Sequence, residues 1–531
     1  MDTKALRQKI LDLAIRGKLV PQDPNDEPAS VLLESIRAEK QQMVKEGKLK
    51  PKDIKNDTVI FKGDDNLHYE QFQDGTVKCI EDEIPFELPD GWEWCRIRNI
   101  ASVKGGKRLP KGESFSDDVT DHVYIRVTDM KNRTINTFGL KYISEEVFAK
   151  IQSYTIGKND LYVTIAGTIG VVGEVPEILD GMNLTENAVK VCNISINKTF
   201  LCYVMLSELV QQQFQDKTHQ VAMPKLALER ILGTLIPVCP VKEQQLIVFS
   251  IKSALQIADT IEIQKDTLFE LVSATKSKIL DLAIRGKLVP QDPNDEPASV
   301  LLERIRAKKE ELIKQGKIKR DKKESVIFKG DDNSYYEKIG DEIICIDEEI
   351  PFELPAGWAW DRMGNITSIA RGGSPRPIKS YLTDEANGVN WIKIGDTEKN
   401  GKYIFSTKEK IKLEGVAKSR FVKSGDFLLT NSMSFGRPYI LKTDGCIHDG
   451  WLVIGDIENV FNQDYLYYAL SADFMYKTLS ALASGSTVDN LNSDLVKSLL
   501  FPIPPFKEQV RISQEVCRIE TILSSVEANL I

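Results

Sequence analysis

The chain has 531 residues, 42% of them hydrophobic, and a formal net charge of −8. That is enough apolar sequence for two sizeable cores; without a run of about eighteen apolar residues or a signal peptide, it predicts a soluble, cytoplasmic protein with no membrane partner. The eight cysteines form no C-x-x-C pair and only four histidines could join them, which argues against structural zinc or a disulfide framework.

From the N-terminus, a polar amphipathic helix leads into Lys9–Glu34, and those 26 residues return without change at Lys278–Glu303. VIFKGDDN at Val59–Asn66 returns at Val326–Asn333, and EIPFELP-x-GW-x-W at Glu83–Trp94 returns at Glu349–Trp360. The chain is a tandem duplication with a period near 266 residues. Pro505–Ile531, with Lys507-Glu508-Gln509, corresponds to Pro240–Asp266, with Lys242-Glu243-Gln244, and Met1 corresponds to about Phe269–Glu270. The repeat is thus circularly permuted with internal pseudo-two-fold symmetry. Termini related in this way are expected to lie close together.

This organisation divides the chain into an N-terminal helical segment (1–56), an acidic linker (57–87) and a first divergent domain (88–239). A central helix and second helix (240–324), a second linker (325–353), a second divergent domain (354–504) and a C-terminal helix (505–531) complete it. The central helix, from about Pro240 to Arg285, carries Ile247, Ile251, Ala254, Ala258, Ile261, Lys265, Leu268, Val272, Thr275, Ile279 and Leu282 in alternating steps of four and three, the seam of a coiled coil. Gly286 supplies its cap and Pro290 its stop. Ile512, Val516, Ile519, Leu523, Val526 and Leu530 keep the same stepping, and Leu6, Ile10 and Leu13 continue it. The partner of the coil therefore reads as a helix split between the C- and N-terminal segments, the alternative being that each helix covers only its own domain. A Pro/Asp/Asn turn then precedes second helices at about Ala29–Glu46 and Ala298–Gln315, stopped by Gly47 and Gly316.

Between these repeats the copies share a skeleton and few side chains. Tyr124-Ile125-Arg126-Val127-Thr128-Asp129 corresponds to Trp391-Ile392-Lys393-Ile394-Gly395-Asp396, and Asp160–Gly170 to Asp426–Gly436. Short apolar runs bounded by Gly and Asp read as strands, so each divergent region is predicted to be a mixed α/β domain and the whole an α+β protein. Trp92, Trp94, Trp358 and Trp360 read as core anchors where these domains open. Basic and acidic residues nearly balance there, 17 to 15 over Cys95–Val238 and 17 to 16 over Asp361–Pro505. The acidity collects in the linkers.

No G-x-G-x-x-G, Walker, H-E-x-x-H or G-x-S-x-G motif is present. The glycine-rich Gly167–Gly173 suits tight strand turns better than a phosphate cradle. The chain therefore reads as non-catalytic. One shared surface and two different ones suit a protein that docks two copies of one partner and recognises two different things. The same features would also suit a scaffold that only gathers protein partners.

The doubled P-x-GW-x-W openings (Pro89–Trp94, Pro355–Trp360), the aromatic-I-[RK]-[VI]-x-D strands and the exits at Pro237–Gln244 and Pro502–Gln509 resemble the specificity subunit of Type I restriction-modification systems, over essentially the whole chain. The first exit departs slightly, with Val238-Cys239 where the second has Ile503-Pro504. The resemblance implies two target recognition domains joined by long antiparallel coiled-coil helices, two methyltransferase subunits docked on the conserved segments, and restriction subunits added to that core. It implies no catalytic residue, metal or cofactor in this chain; S-adenosylmethionine, ATP and magnesium belong to the partner subunits. Because the two domains differ, the double-stranded DNA target is expected to be asymmetric and bipartite, and the net charge implies that the chain alone binds it weakly.

Candidate DNA contacts are polar loop residues at matching skeleton positions. They are Lys107, Arg108, Arg126, Thr164, Thr168 and Lys225 in the first domain, and Arg371, Arg376, Lys393, Asn431, Ser432, Arg437 and Asn490 in the second. Arg and Lys can bond guanine O6/N7, and Asn can pair with adenine. Candidate partner-binding residues on the identical segments are Leu13, Arg16 and Leu19, with Leu282, Arg285 and Leu288.

Overall fold

In a computed structural model, residues 2–215, 225–320, 324–398, 401–431, 436–484 and 491–530 are described, Ser484 by its backbone alone. The chain divides into two units, Met1–Gln264 and Lys265–Ile531, each with its own core.

Each unit begins with the repeated segment, and the same local chemistry shapes it twice. In the first unit, Asp2 caps the helix Thr3–Ile15 by accepting from Lys4 N and Ala5 N at 2.9 and 3.1 Å. That helix stops at Gly17, whose φ of +63° only glycine adopts without strain. A Cβ on Gly17 would also lie 2.5 Å from Pro89 Cγ, and one on Gly286 2.4 Å from Pro355 Cγ. The helix end is thereby pressed onto the P-x-GW opening. The second helices span Ala29–Lys45 and Ala298–Lys314, and their first N–H groups donate to Gly91 O and Gly357 O at 2.8 Å in both units.

The long helix spans Val241–Ile284, and the division between the units falls within it. In the first unit Ile247, Ile251 and Leu255 are buried with Ile10, Leu11, Ala14 and Trp92, and Arg7 pairs with Asp259 and Glu262 at 2.5 and 2.7 Å. In the second unit Ile279 and Ala283 are buried with Ile512 and Val516 of the helix Phe506–Leu530, and Lys276 pairs with Glu527 at 2.7 Å. Ile261, Lys265 and Leu268 in the middle of the apolar stepping are only half-buried.

The segments 57–87 and 325–353, expected as acidic linkers, are folded. Each contains a three-stranded antiparallel sheet: Val59–Lys62, His68–Gln71 and Val77–Cys79 in one, Ser325–Lys329, Tyr335–Ile339 and Glu342–Cys345 in the other. Their acids had hidden the strand pattern because they serve the turns, as Asp65 and Asp74 do by accepting from Leu67 N and Thr76 N, or are buried against a cation. Glu70 takes Arg96 at 2.8 Å and the Thr58 hydroxyl at 2.6 Å; Glu337 takes Arg362 at 2.7 Å and the Ser325 hydroxyl at 2.5 Å. A buried carboxylate is tolerable only when paired in this way.

The divergent domain then opens and closes on one two-stranded ladder. Glu93–Arg96 pairs antiparallel with Leu235–Val238, and Ala359–Arg362 with Leu500–Ile503, which sets Trp94 opposite Pro237 and Trp360 opposite Pro502. All four tryptophans are buried. The Trp92 indole donates to Glu243 Oε2 at 2.9 Å, and that of Trp358 to Glu508 Oε2 at 3.1 Å. The GW and KEQ motifs, about 150 residues apart in sequence, are two halves of one clasp. Burial pushes both glutamate carboxyls up in pKa despite the donors they accept from.

Inside the clasp the first unit has two four-stranded sheets, ordered Val172–Glu174, Leu161–Thr164, Ala188–Cys192, Ser102–Gly105 and Thr155–Ile156, Met182–Leu184, Val123–Ile125, Lys141–Tyr142. The second unit has two five-stranded sheets built on Phe427–Thr430, Trp451–Gly455, Val389–Ile392 and Gly445–Ile447. Pairing is antiparallel except where Met182–Leu184 meets Val123–Ile125 and, in the second unit, where Gly445–Ile447 meets Val389–Ile392 and Tyr403–Ile404 meets Pro438–Leu441. Helices Lys198–Leu206 and Gln463–Ser471 contribute buried aromatic and aliphatic side chains to the main cores. The mixed helix and strand content matches the sequence reading. Among the described residues no helix is long and apolar enough to cross a membrane.

Candidate nucleic-acid interface

In both units the candidate loops meet where the two sheets hand the chain over. The strand Ser102–Gly105 runs into Gly106, where a Cβ would lie 2.1 Å from Thr185 O; the matching Cβ on Gly372 would lie 2.1 Å from His448 O. Only glycine permits that approach. Gly106 N donates to Ala188 O and Lys107 N to Leu184 O; Gly372 N donates to Trp451 O and Gly373 N to Ile447 O. Thr185 N to Ile125 O is matched by His448 N to Ile392 O, and Ile165 N to Asn187 O by Asn431 N to Gly450 O. The backbone of the cluster is therefore the same twice, bond for bond.

The side chains on it differ. In the first domain Lys107 and Arg108 are exposed. The Arg108 Nε donates to Glu186 Oε1 at 2.7 Å while its own side chain remains 80% exposed. Lys107 Nζ stands 5.5 Å over the Tyr154 ring, and Lys225 Nζ lies 3.4 Å from Glu186 O. Tyr124 Oη donates to Lys107 O at 2.8 Å and lies 3.2 Å from Glu186 Oε2. Burial opposes ionisation of Glu186, but Arg108 and the neighbouring hydroxyls hold its carboxyl below the ordinary pKa. Thr168 is exposed in the loop that Ile165 ties to Asn187 and Leu226.

Two first-domain candidates are spent inside the fold. Thr164 has no exposed surface; its hydroxyl donates to Thr168 O and accepts from Val171 N, so it shapes the turn. Arg126 closes on Asp129 at 2.7 and 3.1 Å and on Gly139 O.

In the second domain the centre is Asp449. Ser374 Oγ donates to its Oδ1 at 2.6 Å, Arg376 approaches its Oδ2 at 3.5 Å with a side chain 83% exposed, and Arg371 Nε donates to its backbone oxygen at 3.0 Å. The Ser374 hydrogen bond, the largest cause, holds the Asp449 carboxyl low. Ser374, Arg376, Lys393 and Asp449 line one cleft of about 1010 Å³, with Lys393 paired to Glu409 at 2.6 Å. Asn431 is buried and donates to Asp449 O at 2.8 Å. Arg437 is exposed but lines another cleft, with Lys276, Lys402, Tyr467 and Glu520. Ser432 and Asn490 lie outside the described residues.

Sequence reasoning missed Glu186 and Asp449, whose carboxylates take Arg108 and Arg376 and whose backbone oxygens take Lys225 and Arg371. Thr185-Glu186-Asn187 and His448-Asp449-Gly450 share no residue, so only the strand register aligns them.

On the identical segments Leu13 and Leu282 are half-buried, while Leu19 and Leu288 pack on the cores. The Arg16 guanidinium stacks 4.2 Å over Phe86 and bonds Asp12 at 2.6 Å; Arg285 stacks 4.4 Å over Phe352 and bonds Asp281 at 2.8 Å.

A family described as the Type I restriction modification DNA specificity domain matches residues 89–271 and 355–528. The specificity subunits of the Type I restriction enzymes EcoAI and EcoEI, both from Escherichia coli, are each 32% identical to this chain, over 428 and 421 residues, and cover 70% of it. The chain spans 63% of the length of either relative. Among solved structures, the HsdS subunit from Thermoanaerobacter tengcongensis is 17% identical with a TM-score of 0.48, over 85% of this chain and 94% of that one.

Proposed function

The chain belongs to the Type I restriction modification DNA specificity family, and from that membership we propose that it is the non-catalytic specificity subunit of a Type I restriction-modification complex. The observation that carries this reading is the pair of loop clusters: one backbone, built twice, presenting Lys107, Arg108, Glu186 and Lys225 in one domain and Arg371, Ser374, Arg376 and Asp449 in the other. Major-groove base edges are told apart by donor and acceptor patterns, so a fixed frame with interchangeable polar side chains suits two different half-sites. An asymmetric bipartite target follows, its unread spacer set by the helices that join the domains.

Within each unit the helix contacts at Arg7–Asp259 and Lys276–Glu527 support the antiparallel coiled-coil arrangement. The identical segments, with Leu13, Arg16 and Leu19 and their counterparts Leu282, Arg285 and Leu288, suit docking of two copies of a methyltransferase subunit, with restriction subunits added to that core. S-adenosylmethionine, ATP and magnesium would be bound by those partners. The adenine would be extracted from the duplex and methylated there, while this chain selects which adenine is presented. Much of the phosphate attraction would come from the partners, given the chain's charge of −8.

Direct sequencing of adenine methylation in the source strain, with the gene intact and deleted, tests the reading. Loss of one gapped, asymmetric motif on deletion is the expected result. If no motif disappears and reconstitution with the adjacent methyltransferase also yields no gapped specificity, the reading fails.

A further inference from the structure

We propose that Glu186 and Asp449 are specificity-determining residues, each accepting a hydrogen bond from a base amino group, cytosine N4, in the half-site that its domain reads. This deepens the DNA-reading function above and rests on it. The two carboxylates occupy equivalent places: each follows a residue whose N–H is tied to the strand at Ile125 or Ile392, and each precedes one whose carbonyl is tied to Ile165 or Asn431. The close approach of Gly106 and Gly372 fixes the turn from the other side. The domains have changed almost every side chain around these turns yet both keep an acid there.

Each acid is held by a hydroxyl from its own domain and capped by an exposed arginine. Thr185 Oγ1 lies 3.2 Å from Glu186 Oε2, and Ser374 Oγ lies 2.6 Å from Asp449 Oδ1. The capping side chains of Arg108 and Arg376 are 80% and 83% exposed, so a phosphate or a guanine can draw them off. The carboxylate left behind can only accept. Against phosphate or an acceptor edge it is repelled and desolvated, which penalises wrong sequence. Against a donor edge it is satisfied. In the major groove cytosine offers its N4 amino group alone, whereas the adenine N6 amino group sits beside the N7 acceptor. Cytosine is therefore the base that a lone carboxylate selects.

The test replaces the chromosomal gene with Glu186→Gln and, separately, Asp449→Asn, and reads adenine methylation by direct sequencing. An amide keeps an oxygen for cytosine and adds a donor that adenine N7 can take, so the original motif stays methylated. Expected for Glu186→Gln is relaxation at one C·G position in one half-site, with discrimination there falling roughly tenfold or more. Asp449→Asn relaxes one position in the other half-site only. Competition between the target duplex and a singly substituted duplex, on complex purified with its methyltransferase, should show the same ratio change. An unchanged motif in both variants, loosening of both half-sites by either one, or loss of all methylation with an unchanged competition ratio overturns the proposal. Failure of the underlying reading is distinct: deletion of the unaltered gene would then remove no gapped motif.

Discussion

The clasp that opens and closes each divergent domain and the loop cluster at its sheet ends obey opposite rules. In the clasp both the residues and their distances repeat: Trp92–Glu243 at 2.9 Å against Trp358–Glu508 at 3.1 Å, Arg16 over Phe86 at 4.2 Å against Arg285 over Phe352 at 4.4 Å. In the cluster only the backbone bonds repeat. Side chains that fix a boundary must be kept, because a buried indole and carboxylate leave each other unsatisfied if either changes. Side chains at a strand end that face solvent are free to change once glycine and main-chain bonds hold the turn. The duplication thus separates what positions from what is presented.

The largest effects are expected at the clasp. Trp92→Ala and Trp358→Ala should each cost about 3–5 kcal/mol, the loss of a large buried aromatic, and the two losses should agree in urea unfolding. A cost at one site only would mean that the clasps are not equivalent.

A contribution of about 2–3 kcal/mol is expected from one of the ladder positions where the copies differ, Cys95 against Asp361. Burial pushes the Asp361 carboxyl up to about 6 from 3.8, although Asn365 and the Arg362 N–H partly stabilise its charge; the Cys95 thiol is pushed up to about 12 and stays neutral. Because the folded pKa of Asp361 is the raised one, the native state binds a proton that the unfolded chain has released between about pH 4 and 6. Its contribution to stability is therefore present at the acid end and lost as pH rises through 6. Asp361→Asn should flatten the second unit's pH dependence over that window, read from unfolding midpoints at pH 4 to 7.

The frame itself is tested by Gly106→Ala and Gly372→Ala. Each places a methyl 2.1 Å from a carbonyl oxygen, at an expected cost of about 1–3 kcal/mol, with loss of recognition confined to one half-site in duplex binding. Smallest are Arg16→Ala and Arg285→Ala. Each removes a cation–π contact and an i,i+4 ion pair, worth about 1 kcal/mol together, and because Arg285 also stands 5.8 Å over the Phe474 ring, its loss should be slightly the larger in thermal unfolding.

Much of the fold could be read from the letters. Repetition located the duplication, the four-three stepping of Ile247 to Leu282 located the long helix, and the two GW-x-W motifs located buried anchors, since large apolar residues in a repeated frame have little else to do. The sheets within 57–87 and 325–353 were hidden because their acids dominate the composition, whereas in the fold those acids serve turns and ion pairs such as Arg96 with Glu70 and Glu83, Lys40 with Asp57, and Arg362 with Glu337 and Glu349. The interface was less legible. Thr164 ends a strand and Asn431 directly follows one, where one step decides between surface and interior, and their own sequence neighbourhoods do not show which face they take. Arg126 looked available until Asp129, three residues on, proved to hold it. Glu186 and Asp449 became comparable only through main-chain register.

The ladder joining Glu93–Arg96 to Leu235–Val238, and its counterpart joining Ala359–Arg362 to Leu500–Ile503, bring the entry and the exit of each domain side by side. Each recognition domain leaves and rejoins the rest of the chain through two adjacent strand ends, like a cartridge with both pins on the same side. A replacement of any internal length or connectivity must match those two ends and the indole–carboxylate lock beside them, and must also seat on the flanking helix, as Asn197 N does on Gln244 Oε1 and Asn462 N on Gln509 Oε1 at 2.9 and 2.8 Å. The lock and the seat are the same in both copies, so everything between them can differ while the frame stays unaltered.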